Sequence, residues 1–225
     1  MHRTAEPAIL YFGTPVVLVS SMNEDGSANL APISSAWWLG WNCVAGFAAG
    51  SKTPANILRT GECVLNLPSV EQADAVDRLA KTTGSDPVPA YKLAMGYRHA
   101  KDKFEVAGLS GSPSELVAPP RVSQCPAQLE AVLEGSHPLE RSNPERAGRL
   151  IALELRVVRV HLDEQVMMMG HEDRVDPDRW RPLMMSFSRF YGLGRELRPS
   201  RLAEIPESAY RRAGAPVPAR PKERR

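Results

Sequence analysis

Short apolar runs separated by turn residues dominate the first third of the chain. Residues 15–20, Pro-Val-Val-Leu-Val-Ser, are apolar and β-branched, the pattern of a buried strand. Asn23-Glu24-Asp25-Gly26 follows, and Asp-Gly at that place signals a hairpin. Residues 27–33 read as the returning strand, in which Pro32 marks an end, a bulge or a sheet edge. Residues 42–48 and 62–67 predict two further strands. Between them Thr53 reads as an N-cap, Pro54 as the first helical residue and Gly61 as the stop of a short helix. Residues 70–80 place apolar side chains at helical spacing, with acids in the early turns where the helix dipole favours them.

The second half is less regular. Residues 82–124 are rich in Gly, Pro and Ser and predict a long excursion with one short helix at 90–95. Residues 127–133 alternate weakly, 150–161 alternate strongly, and 184–187 form a last short strand. The sum is a mainly β chain, an antiparallel barrel or sandwich with inserted helices. Regular strand–helix alternation and a Gly-x-Gly-x-x-Gly are both missing, which disfavours a doubly wound dinucleotide fold. From Pro199 on, five prolines and many arginines predict a weakly ordered tail. The domain expectation is therefore a barrel over 1–195 and a Pro/Arg-rich extension over 196–225.

Composition narrows the class. With 225 residues, 43% apolar and 24% charged, the chain can bury a sizeable core and is neither fibrous nor broadly disordered. No apolar run reaches the roughly 20 residues of a membrane span, and the first residues lack a signal-like apolar stretch. A cytoplasmic protein with no membrane partner is the expectation. The net charge of +2 hides a split: residues 195–225 hold nine basic and four acidic residues, so the rest of the chain is mildly acidic. Nucleic acid is therefore not an expected partner, except through the tail. Cys43, Cys63 and Cys125 are widely spaced, with no Cys-x-x-Cys, and read as small buried hydrophobes. The five histidines are scattered, so no metal site is expected, and Gly108-Leu109-Ser110-Gly111 is not a nucleophile elbow.

Two segments carry candidate chemistry. Ser51-Lys52-Thr53-Pro54 joins a helix start, which favours an anion, to two hydroxyls and one mobile cation. These are three kinds of phosphate ligand within three residues, although an ordinary capped helix also fits them. Asn29-Leu30-Ala31-Pro32-Ile33-Ser34-Ser35 ends a strand in Pro-x-Ser-Ser and leaves backbone groups and hydroxyls to address a flat, hydrogen-bonding ring. Trp37, Trp38 and Trp41 add apolar faces nearby, or else fill the core.

The ordered set of the 15–20 strand, Asp25-Gly26, Asn29-x-Ala31-Pro32-x-Ser34, Ser51-Lys52-Thr53-x-x-Asn56-Ile57 and residues 60–67 resembles the flavin reductase-like family of FMN-binding split β-barrels. The likeness is carried by residues 11–67. It implies a homodimer with FMN near the subunit interface. It implies that Asn29, Ala31, Pro32, Ile33, Ser34 and Ser35 line the isoalloxazine and ribityl chain. It further implies that Ser51, Lys52 and Thr53 hold the phosphate. Residues 182–191 resemble the family's C-terminal strand, which makes Arg189 and Tyr191 candidates for contact with flavin or second substrate. The activity implied is an FMN-dependent oxidoreductase: NADH or NADPH delivers hydride to flavin N5, and a small molecule or a free flavin accepts the electrons. No catalytic side chain is singled out. Where many members carry Gly-Asp-His, this chain has Gly170-His171-Glu172-Asp173. That departure keeps open a flavin carrier or sensor without nicotinamide-dependent turnover.

Overall fold

The computed structural model describes residues 1–210. Its elements run β1 Phe12–Pro15, β2 Val17–Met22, β3 Ala28–Ile33, β4 Ala36–Leu39, β5 Asn42–Ala48, α1 Lys52–Thr60 and β6 Glu62–Leu67. A 3₁₀ turn at Val70–Gln72 leads into α2 Ala73–Leu79. The excursion then carries β7 Thr82–Thr83, α3 Ala90–Ala94, β8 Arg98–His99, α4 Lys103–Ala107, β9 Gly111–Ser112 and β10 Arg121–Val122. The long strands β11 Ala127–Pro138 and β12 Leu150–Leu162 follow, then β13 Met184–Ser186 and β14 Arg189–Tyr191.

Seven strands form one antiparallel sheet in the order β3-β2-β6-β11-β12-β5-β4. The alternation of β5 drives one face inward: Cys43, Ala45 and Phe47 are buried while their neighbours are half-exposed. With Val17, Val19, Leu65, Leu153 and Leu155 they form the main core. Ile57 of α1 closes that core, so the helix is bound to the sheet by its apolar face. A second core joins Leu18 and Leu30 to Val76 and Leu79 of α2, Ala107 of α4 and Leu183. It pins the excursion against β2 and β3. A small sheet, β1-β13-β14, lies beside it.

Several expectations shift by a residue or an element. The N-cap of α1 is Ser51, because Lys52 and Thr53 are already helical. Gly61 does end the helix, in the left-handed conformation its missing Cβ allows. Residues 36–39, expected as apolar faces near the site or as core filling, form β4 at the end of the large sheet. α4 was not predicted, since five residues are too few to show a periodicity.

Buried polar residues fasten the last part of the excursion to the barrel. Glu130, fully buried on β11, accepts hydrogen bonds from the backbone N–H of Glu115 (2.8 Å), Leu116 (2.6 Å) and Val117 (3.2 Å). His161 Nε2 stands 2.7 Å from the same carboxylate. Desolvation opposes its charge, but the N–H groups of Glu115 and Leu116 and the His161 contact outweigh it, so Glu130 titrates below the ordinary carboxylate range. Asn66 of β6 accepts from Val122 N–H at 2.7 Å and donates to Leu18 O at 2.9 Å.

Met1–Leu193 form one compact unit, and the described residues from Gly194 on belong to another. In the tail expected from Pro199 on, Arg201–Glu204 and Glu207–Tyr210 are 3₁₀ turns, and the part of that tail beyond residue 210 lies outside the described residues. Among the described residues no helix is long and apolar enough to cross a membrane, and no group of His, Cys, Asp and Glu could hold a metal ion.

Candidate functional site

A cavity of about 640 Å³ opens between the end of β3, the start of α1 and the excursion. That volume is in the range of small-molecule and cofactor sites. One wall is built from the strand break the sequence predicts. Pro32 sits opposite Leu18 on β3, which ends the large sheet, so its missing N–H costs no ladder bond. The chain then leaves the ladder, and Ala31, Pro32, Ile33, Ser34 and Ser35 all line the cavity. Ser35 is engaged by the barrel: its hydroxyl donates to Gly46 O at 2.7 Å, and its carbonyl accepts from Gly46 N–H at 2.7 Å. The Ser34 hydroxyl has no protein partner among the described residues.

Ser51, Lys52 and Thr53 form the next part of the wall. No side chain caps the first turn of α1, since the Ser51 hydroxyl bonds none of its N–H groups. The helix start therefore keeps the partial positive charge that an anion would meet. Asn29 does not line the cavity. It is buried beneath, and its amide donates to Ser21 Oγ at 3.3 Å and to Thr53 Oγ1 at 3.0 Å. With its oxygen accepting from Asn29, Thr53 has its own O–H left to donate into the cavity. Lys52 is turned toward the β2–β3 hairpin, where its Nζ pairs with Glu24 Oε2 at 2.5 Å. That hydrogen bond holds the Glu24 carboxyl below its ordinary range.

The excursion supplies side chains that the sequence reading left without a role. Gly84 packs so closely that a Cβ there would meet Asn29 Oδ1 at 2.7 Å and Lys52 Cγ at 3.3 Å. Lys92 of α3 is 8% exposed and donates to Ser51 Oγ (3.2 Å) and Thr83 Oγ1 (3.3 Å). Its ammonium lies 6.0 and 5.8 Å from the ring centroids of Tyr91 and Tyr97, within cation–π range. Lys103, the first residue of α4, is 3% exposed and lines the same cavity. Its place is fixed by Asp102, which caps the Glu105 N–H at 2.9 Å, and by Arg78 of α2, which grips Ala107 O. Burial, and then the nearby Lys92, push the Lys103 pKa down to about 8. Burial lowers Lys92 as well. A lysine inside a hydrophobic-looking stretch, Lys103-Phe104-x-Val106-Ala107, was the signal available in the sequence.

On the C-terminal side, Met185, Ser188 and Phe190 reach the cavity, whereas Arg189 and Tyr191 do not. Strand alternation explains this: Phe190 is half-buried, and its two neighbours on β14 are exposed. His171 stands on an exposed turn and is not part of the wall. The tryptophans do not line it either. Trp38 packs on the main core, while Trp37 and Trp41 are exposed. The cysteines are buried, and desolvation pushes Cys43 up to about 12 and the other two higher still, so none is a thiolate nucleophile.

The site is thus a roomy cleft with a flat, hydrogen-bonding wall at one part and an uncapped helix start with buried cations at another. A split antiparallel β-barrel with such a cleft defines a class, and the comparisons give the family. Residues 9–194 match the flavin reductase like domain, and the chain belongs to that family. The YdfE protein of Bacillus subtilis is 34% identical over 195 residues, covering 87% of this chain and 91% of that one. Flavoredoxin of Desulfovibrio vulgaris has the same fold, with a TM-score of 0.71, 19% identity, and coverage of 91% and 100% of the two chains. An FMN-binding domain of a flavin reductases-like enzyme from Shewanella baltica gives a TM-score of 0.61 at 21% identity, over 83% and 90%.

Proposed function

We propose that the cavity binds FMN and that the protein is an FMN-dependent oxidoreductase turning over NADH or NADPH. The observation that carries this reading is one cleft with two unlike parts. Residues 31–35 offer backbone groups and the Ser34 hydroxyl to a planar ring. Ser51, Thr53 and the uncapped first turn of α1 offer donors to a phosphate, with buried lysines beside them. When bound, FMN supplies the two-electron chemistry: it accepts hydride from the nicotinamide and passes the electrons to a small molecule, a free flavin or oxygen. The protein's residues orient the ring, hold the phosphate and exclude water. No side-chain acid or base is required, which fits a wall without a carboxylate–histidine cluster.

The homodimer belongs to the same proposal. β4 ends the large sheet and presents Trp37 (56% exposed) and Leu39 (73% exposed), with Trp41 just beyond. Phe12 and Phe187 meet edge to face, 4.8 Å between centroids, and are exposed too. An apolar sheet end of this kind is the surface a second copy would cover. Sedimentation at the mass of a monomer with FMN bound would refute the dimer.

The direct test is to add FMN to the purified protein and follow NADH and NADPH oxidation. Oxidation above the FMN-only blank supports the reading. Tight FMN binding with no nicotinamide-dependent bleaching favours the second reading, a flavin carrier or sensor, which the position of His171 away from the cavity supports. Absence of flavin binding ends both.

A further inference from the structure

Among the described residues four lysines line the cavity, Lys52, Lys81, Lys92 and Lys103, and Asp77 is the single carboxylate on the same wall. Among the described residues only Lys52 has an acidic partner, Glu24 at 2.5 Å. Lys81 is exposed and solvated. Lys92 and Lys103 are both more than nine-tenths buried. Lys103 makes neither an ion pair nor a hydrogen bond among the described residues, and its nearest charged influence is the like charge of Lys92.

We propose that Lys92 and Lys103, both carried by the excursion, neutralise the ligand's phosphate, and that Lys52 chiefly ties α1 to the β2–β3 hairpin. The inference rests on the flavin reading for the identity of the ligand. Two largely buried lysines with no counter-charge among the described residues are costly to a folded chain, and an anion in the cavity would supply one. A phosphate monoester carries about −1.5 to −2 charge at pH 7, the complement of this pair. Lys92 is already bonded to the hydroxyl of Ser51 at the α1 start, so an anion seated there lies within its reach. The groups facing the pair are Lys52 on α1, Lys81 and Asp77 beside the end of α2, and Tyr91 and Tyr97 around α3. Of these only Asp77 opposes the pair in charge, and it forms no ion pair with either lysine. The depressed pKa of Lys103 agrees with a lysine awaiting a counter-charge.

The experiment uses the full chain and its Lys92→Met, Lys103→Met and Lys52→Met variants. FMN and riboflavin are titrated into each, followed by flavin fluorescence, and inorganic phosphate is tested for thermal stabilisation at constant ionic strength. Lys92→Met and Lys103→Met are expected to weaken FMN on the order of tenfold to a hundredfold, the value of one charge-assisted hydrogen bond. Riboflavin affinity should change less than about threefold in both, and Lys52→Met should stay within that margin for FMN, as exposed ion pairs contribute little. Phosphate should raise the melting temperature of the wild type and not of the two buried-lysine variants. FMN binding that survives both substitutions, or riboflavin losing as much as FMN, overturns the proposal. A largest effect at Lys52 overturns it too. Phosphate stabilisation that needs Lys92 and Lys103 in a protein that binds no flavin would uphold the anion site and refute the flavin reading. Lys103→Met removes a desolvated charge that has no partner among the described residues, so its melting temperature without ligand should not fall, and a fall would assign Lys103 a structural role instead.

Discussion

The barrel and the excursion border the same cavity, yet they settle their charges in opposite ways. On the barrel, the charges of Lys52 and Glu130 are matched locally. Lys52 meets Glu24, and buried Glu130 meets three backbone N–H groups and His161. On the excursion, Lys92 has only neutral partners and Lys103 has none among the described residues. Charges that hold a fold together are compensated within it, because an uncompensated buried charge costs several kcal/mol. Charges kept for a ligand are left open. The difference separates the residues that build the cleft from those that read what enters it.

The largest expected break lies on the barrel side. Glu130→Ala would remove the acceptor of three backbone N–H groups, that of buried Val117 among them, and of His161, a loss on the order of 3–5 kcal/mol in unfolding free energy. Denaturant titration checks this, and a loss under about 1 kcal/mol would mean the 115–117 loop is not anchored there. The same carboxylate gives the fold an acid limit. Its folded pKa is lowered, so its contribution is fully present above the unfolded value and fades as pH falls toward the folded one.

Next in size are the affinity effects at Lys92 and Lys103. The stability of the unliganded protein follows. Lys103 has its pKa lowered to about 8, so below that pH the folded state carries the full cost of a buried charge. Between about 8 and the unfolded value near 10.4 the folded chain sheds the proton first, and stability rises with pH. Lys103→Met should therefore stabilise the free protein at pH 7 by on the order of 3 kcal/mol, about 6–12 °C in melting temperature. The gain should shrink toward zero above pH ~10.4 as the wild-type lysine becomes neutral in both states. Thermal melts at several pH values would show it, and a pH-independent gain would point to packing rather than charge.

A smaller effect is expected at the contact between the two regions. Gly84→Ala places a Cβ 2.7 Å from Asn29 Oδ1, and Asn29 is what orients Thr53. Overpacking of this kind costs typically about 1–3 kcal/mol. Here part of that cost should appear as weaker FMN binding. Unchanged affinity and stability would mean the contact is soft. The smallest effect should come from Lys52→Met.

The same contrast explains how far the sequence could be read. The β2–β3 hairpin, the stop at Gly61 and the strands flanking α1 follow from local rules, because a turn or a cap involves neighbours in the chain. The 31–35 and 51–53 segments were legible for the same reason: each is a contiguous interruption of a regular element. Lys92 and Lys103 were not legible, since what matters about them is burial without a counter-charge, and burial is set by elements distant in the chain coming together. Asn29 shows the same limit within the barrel. It was expected in the cavity wall, but its side chain serves Thr53 from beneath. Arg189 and Tyr191 missed the wall by strand phase alone.

The most direct test of the account is the ratio of riboflavin to FMN dissociation constants in two proteins, the Lys92→Met/Lys103→Met double variant and Lys52→Met. With the phosphate held by the excursion, the ratio should fall to near one in the double variant and stay close to wild type in Lys52→Met. A double variant that keeps its preference for FMN, while Lys52→Met loses it, would contradict the account.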